Sequence, residues 1–201
     1  MNSIPELEIL CEEVMSGQPH EKPELVIVRG APGSGKSTFA KNQFPGHKVF
    51  ATDDFFMVDG VYKYDKTKVG ENHQKCFDAV ARCLASGQNA VVANTFTMQW
   101  EMQKYFNLCQ QNGYNLRVYH MTNTGFQNKH GVPDDIVDRM KSQYQPLGGE
   151  VTVSGNPKEG TMDGIESGVV PSDTKLLPKP EWKPRPGGGG HRPFMIRNRR
   201  G

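Results

Sequence analysis

One stretch of the chain, residues 30–37 with the sequence GAPGSGKS, restricts the possible fold more than any other. It fits G-x-x-x-x-G-K-[ST], the phosphate-binding P-loop. The apolar run at 25–28 precedes it and predicts a buried strand, and residues 38–44 can continue as a helix. A glycine turn that matches the spacing by chance would require neither of these neighbours. The three segments together predict an α/β fold that binds a nucleoside triphosphate.

Each part of this loop has a predicted role in holding ATP and Mg²⁺. Its glycines let successive backbone N–H groups turn inward around a phosphate, and the helix N-terminus adds partial positive charge. We expect Lys36 to reach the β- and γ-phosphates and the Ser37 hydroxyl to bind the metal. The predicted nucleotide-binding residues of this region are Gly30, Ala31, Pro32, Gly33, Ser34, Gly35, Lys36, Ser37 and Thr38.

Length and composition favour one domain accompanied by chain that does not fold. The protein has 201 residues, of which 35% are hydrophobic, and its mean hydropathy is −0.64. No apolar run approaches the roughly 20 residues that cross a bilayer, and residues 1–6 lack the features of a signal peptide. The four cysteines lack C-x-x-C spacing, which favours free thiols over disulfides or zinc. We therefore expect a cytoplasmic protein without a membrane partner.

Apolar strands and amphipathic helices alternate through the middle of the chain. This order predicts a parallel sheet with helices on both faces. We divide the chain into an N-terminal helix within residues 1–19, a P-loop domain at 20–146, and a tail at 147–201. The predicted strands cover residues 25–28, 48–52, 89–94 and 116–120, with 89–94 central, and the predicted helices cover 4–16, 68–86, 98–111 and a segment opened by Pro133.

The tail is rich in glycine, proline and positive charge. Residues 147–201 contain 11 Gly and 7 Pro, without sustained periodicity, which predicts a disordered segment. Residues 179–201 carry 7 basic and 1 acidic side chain, so the rest of the chain has a net charge of −4. The tail could be a solvated terminus, or an electrostatic arm that holds a polyanion such as DNA or RNA near the domain.

Candidate groups for the acceptor side of a reaction follow two of the predicted strands. Asp53 and Asp54 come directly after the second strand, and one of them could act as a general base. On an extended segment they would point to opposite sides, although both could instead be turn or cap residues. Asn94 and Thr95 end the third strand, where Asn94 could direct Mg²⁺ or support a loop. His73 lies on an apolar helix face, which favours packing over catalysis.

Four further segments, together with the P-loop, resemble the motifs of a known family. They are TDDFF at 52–56, YKYD at 62–65, VANTF at 92–96 and NKHGVP at 128–133. With the P-loop, they resemble the kinase domain of phage polynucleotide 5′-kinase. The set is more similar to a group of small related P-loop proteins of phages and eukaryotes, often described as AAA-family ATP-binding proteins. The resemblance covers about residues 24–146.

This resemblance implies Asp53 as the general base and residues 128–133 as a lid over the ATP phosphates. Phe56 stands where the polynucleotide kinase has an arginine that grips the acceptor phosphate, and His130 stands where it has a lid arginine. Lys129 or Arg139 could supply the lid charge instead.

The implied activity is transfer of the γ-phosphoryl group of ATP to a hydroxyl, with the 5′-OH of a polynucleotide or nucleotide as the expected acceptor. A phage origin, and so the host cytoplasm, is also suggested by the resemblance. The alternatives are a kinase for another small hydroxylated molecule and a nucleotide-binding adaptor with little transfer activity.

Overall fold

The computed structural model describes residues 22–123, 132–154 and 168–181, and their centre is a parallel sheet. Its strands are β1 (Glu24–Arg29), β2 (Lys48–Phe50), β5 (Ala90–Asn94), β6 (Asn115–Met121) and β7 (Val151–Val153). A two-stranded hairpin of β3 (Met57–Val58) and β4 (Val61–Tyr62) lies between β2 and β5 in the sequence. The helices are α1 (Lys36–Gln43), α2 (Val69–Ala85), α3 (Gln103–Asn112) and α4 (Asp134–Ser142), and shorter 3-10 turns cover Thr52–Phe56, Lys66–Lys68 and Gln99–Met102.

The strand order β2-β5-β1-β6-β7 places β1 in the middle, with every neighbouring pair parallel. Because the side chains of a strand alternate, β1 contributes to an apolar layer on each face. Leu25 and Ile27 pack in one layer with α2 and α3, whereas Val26 and Val28 pack in the other with α1. The predicted parallel sheet covered on both faces is therefore confirmed.

The predicted elements of the domain agree with the structure, with small shifts at their ends. The strand predicted at 89–94 is interior, between β2 and β1, but β1 takes the middle position. The second predicted strand ends at Phe50 instead of Thr52, and the helix predicted from residue 98 begins as a 3-10 turn at Gln99. Pro133 precedes α4 as its N-cap. The predicted helix at 4–16 lies outside the described residues.

The predicted boundary after residue 146 comes too early. Strand β7 pairs with β6, and Leu147, Val170 and Leu176 are buried in the layer that contains α2 and α3. Residues 147–154 and 168–181 therefore belong to the domain. Single apolar side chains anchor them, and because these side chains form no repeating pattern, the sequence does not predict their burial. The remaining parts of the predicted tail, 155–167 and 182–201, lie outside the described residues.

Two expectations from composition can be compared with the described part of the chain. Cys76, Cys83 and Cys109 are buried free thiols, as predicted, and Cys11 lies outside the described residues. Among the helices that are described, none has the length and apolar character needed to cross a membrane.

Candidate nucleotide and acceptor site

The loop between β1 and α1 requires glycine because its backbone enters conformations that other residues avoid. Gly33 and Gly35 have φ values of 75° and 84°, and Gly35 is also the N-cap of α1. Gly30 has a φ of 147°, and a Cβ there would lie 2.5 Å from the carbonyl oxygen of Met121. The loop thus turns directly into the N-terminus of a helix, which is the arrangement that binds phosphate.

Hydrogen bonds stabilise this loop and attach it to the residues that follow β5 and β6. The Gly30 N–H donates to the Thr95 carbonyl oxygen at 3.0 Å, and the Ser34 N–H donates to Ala31 at 3.2 Å. The Asn123 side-chain amide donates to the Ser34 carbonyl oxygen at 3.4 Å. Thr95, predicted on the acceptor side, therefore supports the P-loop through its backbone.

Lys36 is folded back into the loop from the first turn of α1. Its Nζ donates to the carbonyl oxygens of Gly30 at 2.9 Å and Ala31 at 2.8 Å. Desolvation lowers the pKa of Lys36 to about 8, while the nearby charge of Asp53 acts in the opposite direction. The ammonium is thus placed where an anion entering the loop would improve its environment.

Asp53 and Asp54 lie in a 3-10 turn, not in the extended segment that the sequence predicts. The Asp54 carboxylate folds back and accepts a hydrogen bond from the Ala51 N–H at 3.0 Å. The exposed Asp53 carboxylate accepts one from the Tyr62 hydroxyl at 3.4 Å. The charge of Asp53 also reaches Lys36 and raises its pKa, whereas the Asp54 carboxylate caps its own turn.

Asn94 and His73 hold this turn from behind. The Asn94 side-chain oxygen accepts a hydrogen bond from the Thr52 N–H at 2.8 Å, and the Thr52 hydroxyl lies 3.1 Å from Nδ1 of His73. Burial, with a smaller effect of Lys104, lowers the pKa of His73, so the ring is mainly neutral at pH 7. In this arrangement the Asn94 oxygen supports the backbone beside Asp53.

A buried arginine directly before the P-loop ties β1 to the chain beyond α4. The Arg29 side chain is 0% exposed, and it lies 3.3 Å from a carboxylate oxygen of Glu150. It also donates to the carbonyl oxygens of Thr97 at 3.2 Å and Gln145 at 3.0 Å, and its guanidinium lies 4.2 Å from the centre of the Tyr144 ring. The base of the P-loop is therefore fixed by a buried ion pair.

The same cluster includes a histidine from β6. His120 stacks on Tyr144 with 3.6 Å between ring centres, and the Tyr144 hydroxyl donates to Glu150 at 2.7 Å. Burial, with a contribution from the charge of Arg29, lowers the pKa of His120 to about 4. Sequence alone does not reveal this cluster, because an arginine at the end of an apolar run resembles a surface residue. The available signal was Glu150, a carboxylate between Gly149 and the apolar β7.

The other predicted phosphate-binding residues have fewer described contacts. Arg139 is exposed on α4, where its backbone carbonyl accepts a hydrogen bond from the Ser142 hydroxyl at 2.8 Å. Lys129 and His130 lie outside the described residues, so their predicted contribution to a lid stays a prediction.

The geometry of this site can be compared with known proteins. A family model described as an AAA domain (AAA_33) matches residues 25–125, which is half of the chain. The chain belongs to this AAA domain family. The match begins in β1 and ends beyond β6, so it includes the P-loop, Lys36 and the turn that carries Asp53.

Relatives of this AAA domain include parts of much longer proteins. Human NEDD4-binding protein 2 is 30% identical over an alignment of 137 positions, which covers 60% of this chain and 8% of that protein. A proposed bifunctional polynucleotide phosphatase/kinase of Acanthamoeba polyphaga mimivirus is 25% identical over an alignment of 173 positions, which covers 81% of this chain and 37% of that protein. The chain therefore spans less than two fifths of either relative.

A solved structure shows the same fold. The crystal structure of a proposed kinase from Chloroflexus aurantiacus superimposes with a TM-score of 0.54 and 22% identity, covering 71% of this chain and 94% of that one. The AAA domain thus has the P-loop kinase fold, a parallel sheet flanked by helices.

The described residues of this AAA domain fit a magnesium ion bound together with phosphate. They contain no group of three or more His, Cys, Asp or Glu side chains that could hold a metal by themselves. Mg²⁺ commonly keeps its waters and binds one or two protein oxygens together with substrate phosphates. The exposed Ser37 in the first turn of α1 and the exposed Asp53 carboxylate offer oxygens of that kind.

Proposed function

We propose that this protein is a kinase that transfers the γ-phosphoryl group of ATP to the 5′-OH of a polynucleotide or nucleotide. The observation that supports this proposal best is a carboxylate whose charge reaches the P-loop ammonium. Asp53 acts on the pKa of Lys36, whereas Asp54 is occupied by the Ala51 N–H. A kinase needs this pairing of a phosphate-binding cation with a group that accepts the proton of the acceptor.

In this proposal Lys36 exchanges its two carbonyl contacts for phosphate oxygens of ATP and stabilises charge on the transferring group. Asp53 accepts the proton of the acceptor hydroxyl as the hydroxyl oxygen bonds to the γ-phosphorus. The bond from that phosphorus to the β–γ bridging oxygen breaks, and its electron pair leaves with ADP. Ser37 would hold the magnesium ion, which neutralises phosphate charge. Tyr62 orients the Asp53 carboxylate through its hydroxyl.

The choice of acceptor has separate support. The mimivirus relative, which aligns with 81% of this chain, is named for polynucleotide phosphatase and kinase activities. The six basic side chains beyond residue 181 could bring a polyanion to the domain. DNA and RNA 5′ ends are therefore the partners that we propose.

A transfer assay with radiolabelled ATP tests this function. The acceptors are 5′-OH DNA, 5′-OH RNA, nucleosides and buffer alone, each incubated with the native protein and with Lys36→Ala. We expect label on a 5′-OH acceptor with the native protein and none with the variant. Label that reaches only water, or a folded protein that transfers none, would contradict the assignment as a kinase of 5′ ends.

A further inference from the structure

The β3–β4 hairpin exposes an unusual amount of apolar surface next to the proposed general base. Six large hydrophobic residues are exposed in the described part of the chain, and four of them lie within residues 57–64, in the hairpin and directly after it. Exposed apolar groups that cluster in this way mark binding surfaces. The four residues are Met57 at 48% exposure, Val58 at 43%, Val61 at 56% and Tyr64 at 63%.

The hairpin is held in a defined shape. Asp59 and Gly60 form its turn, with φ values of 52° and 76°, and such two-residue turns match the twist of paired strands. The Lys63 N–H donates to the Phe56 carbonyl oxygen at 2.9 Å and extends the pairing beyond β3 and β4. The apolar side chains are thus presented by paired backbone.

A layer of aromatic rings connects this surface to the core. Phe56 is only 4% exposed, and its ring centre lies 6.0 Å from that of Tyr62 and 5.3 Å from that of Tyr64. The planes of Phe56 and Tyr64 are inclined by 35°. Tyr64 therefore rests on a buried ring while most of its surface stays open to a ligand.

The layer also reaches the reacting group. Tyr62 donates its hydroxyl to Asp53, and Phe56 ends the 3-10 turn that contains Asp53. A molecule bound on the hairpin would consequently lie beside the carboxylate that we propose as general base.

Charge along this segment argues against recognition by an ionic contact. Residues 51–64 carry three aspartates and one lysine, Lys63, and the position of Phe56 offers a buried ring and no cation. Exposed lysines follow only at 66 and 68, farther from the turn. The hairpin surface is therefore better suited to an uncharged flat ring than to a phosphate.

We propose that Tyr64 and its apolar neighbours bind the base of the acceptor nucleoside by stacking, so that the first unit is recognised by its ring and not by a phosphate. This inference rests on the proposed kinase function and specifies its acceptor. A nucleoside without any phosphate is then a substrate, and a polynucleotide that lacks its first base is a poor one.

Matched variants separate stacking from a general effect on the fold. Tyr64→Ala removes the ring, and since stacking of a base on an aromatic side chain is commonly worth about tenfold in affinity, we expect the KM for the acceptor to rise about tenfold. The KM for ATP should not change. Tyr64→Phe keeps the ring and should behave like the native protein. Leu177→Ala removes an apolar side chain that is equally accessible, at 50% exposure, but lies outside the hairpin.

Three acceptors complete the test: a 5′-OH oligothymidylate, the same oligomer with an abasic 5′-terminal unit, and thymidine. We expect thymidine to be labelled, and kcat/KM of the native protein to fall about tenfold for the abasic oligomer. The Tyr64→Ala protein should not distinguish the intact oligomer from the abasic one. Equal use of both oligomers by the native protein, or an equal loss in Leu177→Ala, would overturn the stacking proposal.

A binding measurement separates this inference from the proposed function. Anisotropy of the two oligomers, labelled with fluorescein at the 3′ end, reports affinity without any transfer of phosphate. If no acceptor is labelled but the intact oligomer still binds about tenfold more tightly than the abasic one through Tyr64, the kinase proposal fails and the docking surface stands. Equal binding of both oligomers by the native protein would overturn the stacking proposal as well.

Discussion

At Lys36 two opposing effects meet in one side chain. Desolvation in the loop lowers its pKa, and the nearby charge of Asp53 raises it. Lys36→Ala should therefore leave the fold intact and abolish ATP turnover, because a contact to charge in a transition state contributes about 3–4 kcal/mol. Turnover and thermal unfolding are the measurements, with Lys41→Ala on the exposed side of the same helix as control. Near-normal turnover in folded Lys36→Ala would refute the P-loop assignment.

The two adjacent aspartates should respond differently to the same substitution. Asp53→Asn removes the proposed base, and general-base contributions of about 10²–10⁴-fold predict loss of most transfer, with ATP affinity changed only a few-fold. Asp54→Asn keeps a side-chain oxygen that can accept the Ala51 N–H, so its effect should be milder. Single-turnover transfer and ATP binding distinguish the two. If Asp54→Asn is the more damaging change, Asp53 is not the base.

Among the packed elements, the Arg29 ion pair connects β1 to the chain that follows α4. Arg29→Met should destabilise the protein by about 3–5 kcal/mol, because it leaves the buried Glu150 charge without its partner. Replacing both residues, as Arg29→Met with Glu150→Met, should cost less than the sum of the two single changes. Urea unfolding measures all three variants. If the free energy of unfolding falls by less than about 1 kcal/mol in Arg29→Met, the ion pair contributes little to stability.

His120 in the same cluster predicts how stability depends on pH. Its pKa is about 4 in the folded protein, below the ordinary value of 6.5, so the unfolded chain binds the additional proton between these values. The contribution of His120 to stability is complete above about pH 6.5 and is lost as the pH falls toward 4. His120→Phe keeps a ring for stacking on Tyr144 but cannot titrate, so its unfolding free energy should fall less steeply across this range. If the unfolding free energies of both proteins fall equally with pH, the pKa of His120 is not lowered in the folded protein.

Elements with regular patterns could be predicted from sequence, and those held by single contacts could not. The cores of β1 and β5 are continuous apolar runs, β6 largely alternates apolar and polar residues, and α2 repeats apolar residues at helical spacing. Strand β7 has only three residues, and its position depends on pairing with β6, which no local pattern records.

The candidate site divides in the same way. The P-loop was predictable because glycine and lysine spacing is local, and so was the position of Asp53 after β2. Which aspartate acts on Lys36 depends on whether residues 52–56 form a strand or a turn. The hydrogen bond that the Thr52 N–H donates to the Asn94 side-chain oxygen holds the turn, and it joins residues 42 positions apart in the sequence. The exposed face of the hairpin likewise depends on Phe56 being drawn into the core.

Over the whole molecule, charge is separated along the sequence. Residues 1–178 have a net charge of −4, and residues 179–201 have a net charge of +6. The described chain as far as residue 181 packs on the domain, because Leu176 is buried and the Lys179 ammonium lies 5.1 Å from the centre of the Trp100 ring. A deletion that keeps all of these described contacts therefore begins at Trp182. The deleted segment carries six basic side chains and no acidic one.

Two roles of that segment predict different salt dependence. An arm that holds a polyanion makes the slope of log affinity against log salt more negative by about 0.7 for each phosphate contact to a single strand. Deletion of residues 182–201 should then raise the KM for a long 5′-OH oligonucleotide at low salt and flatten its salt dependence. ATP hydrolysis and transfer to thymidine should stay the same. Replacing the six basic residues by glutamine in the full-length chain is the matched control, since it removes charge without shortening the protein. If the deleted, neutralised and native proteins share one salt dependence on the long acceptor, the segment has no part in substrate capture.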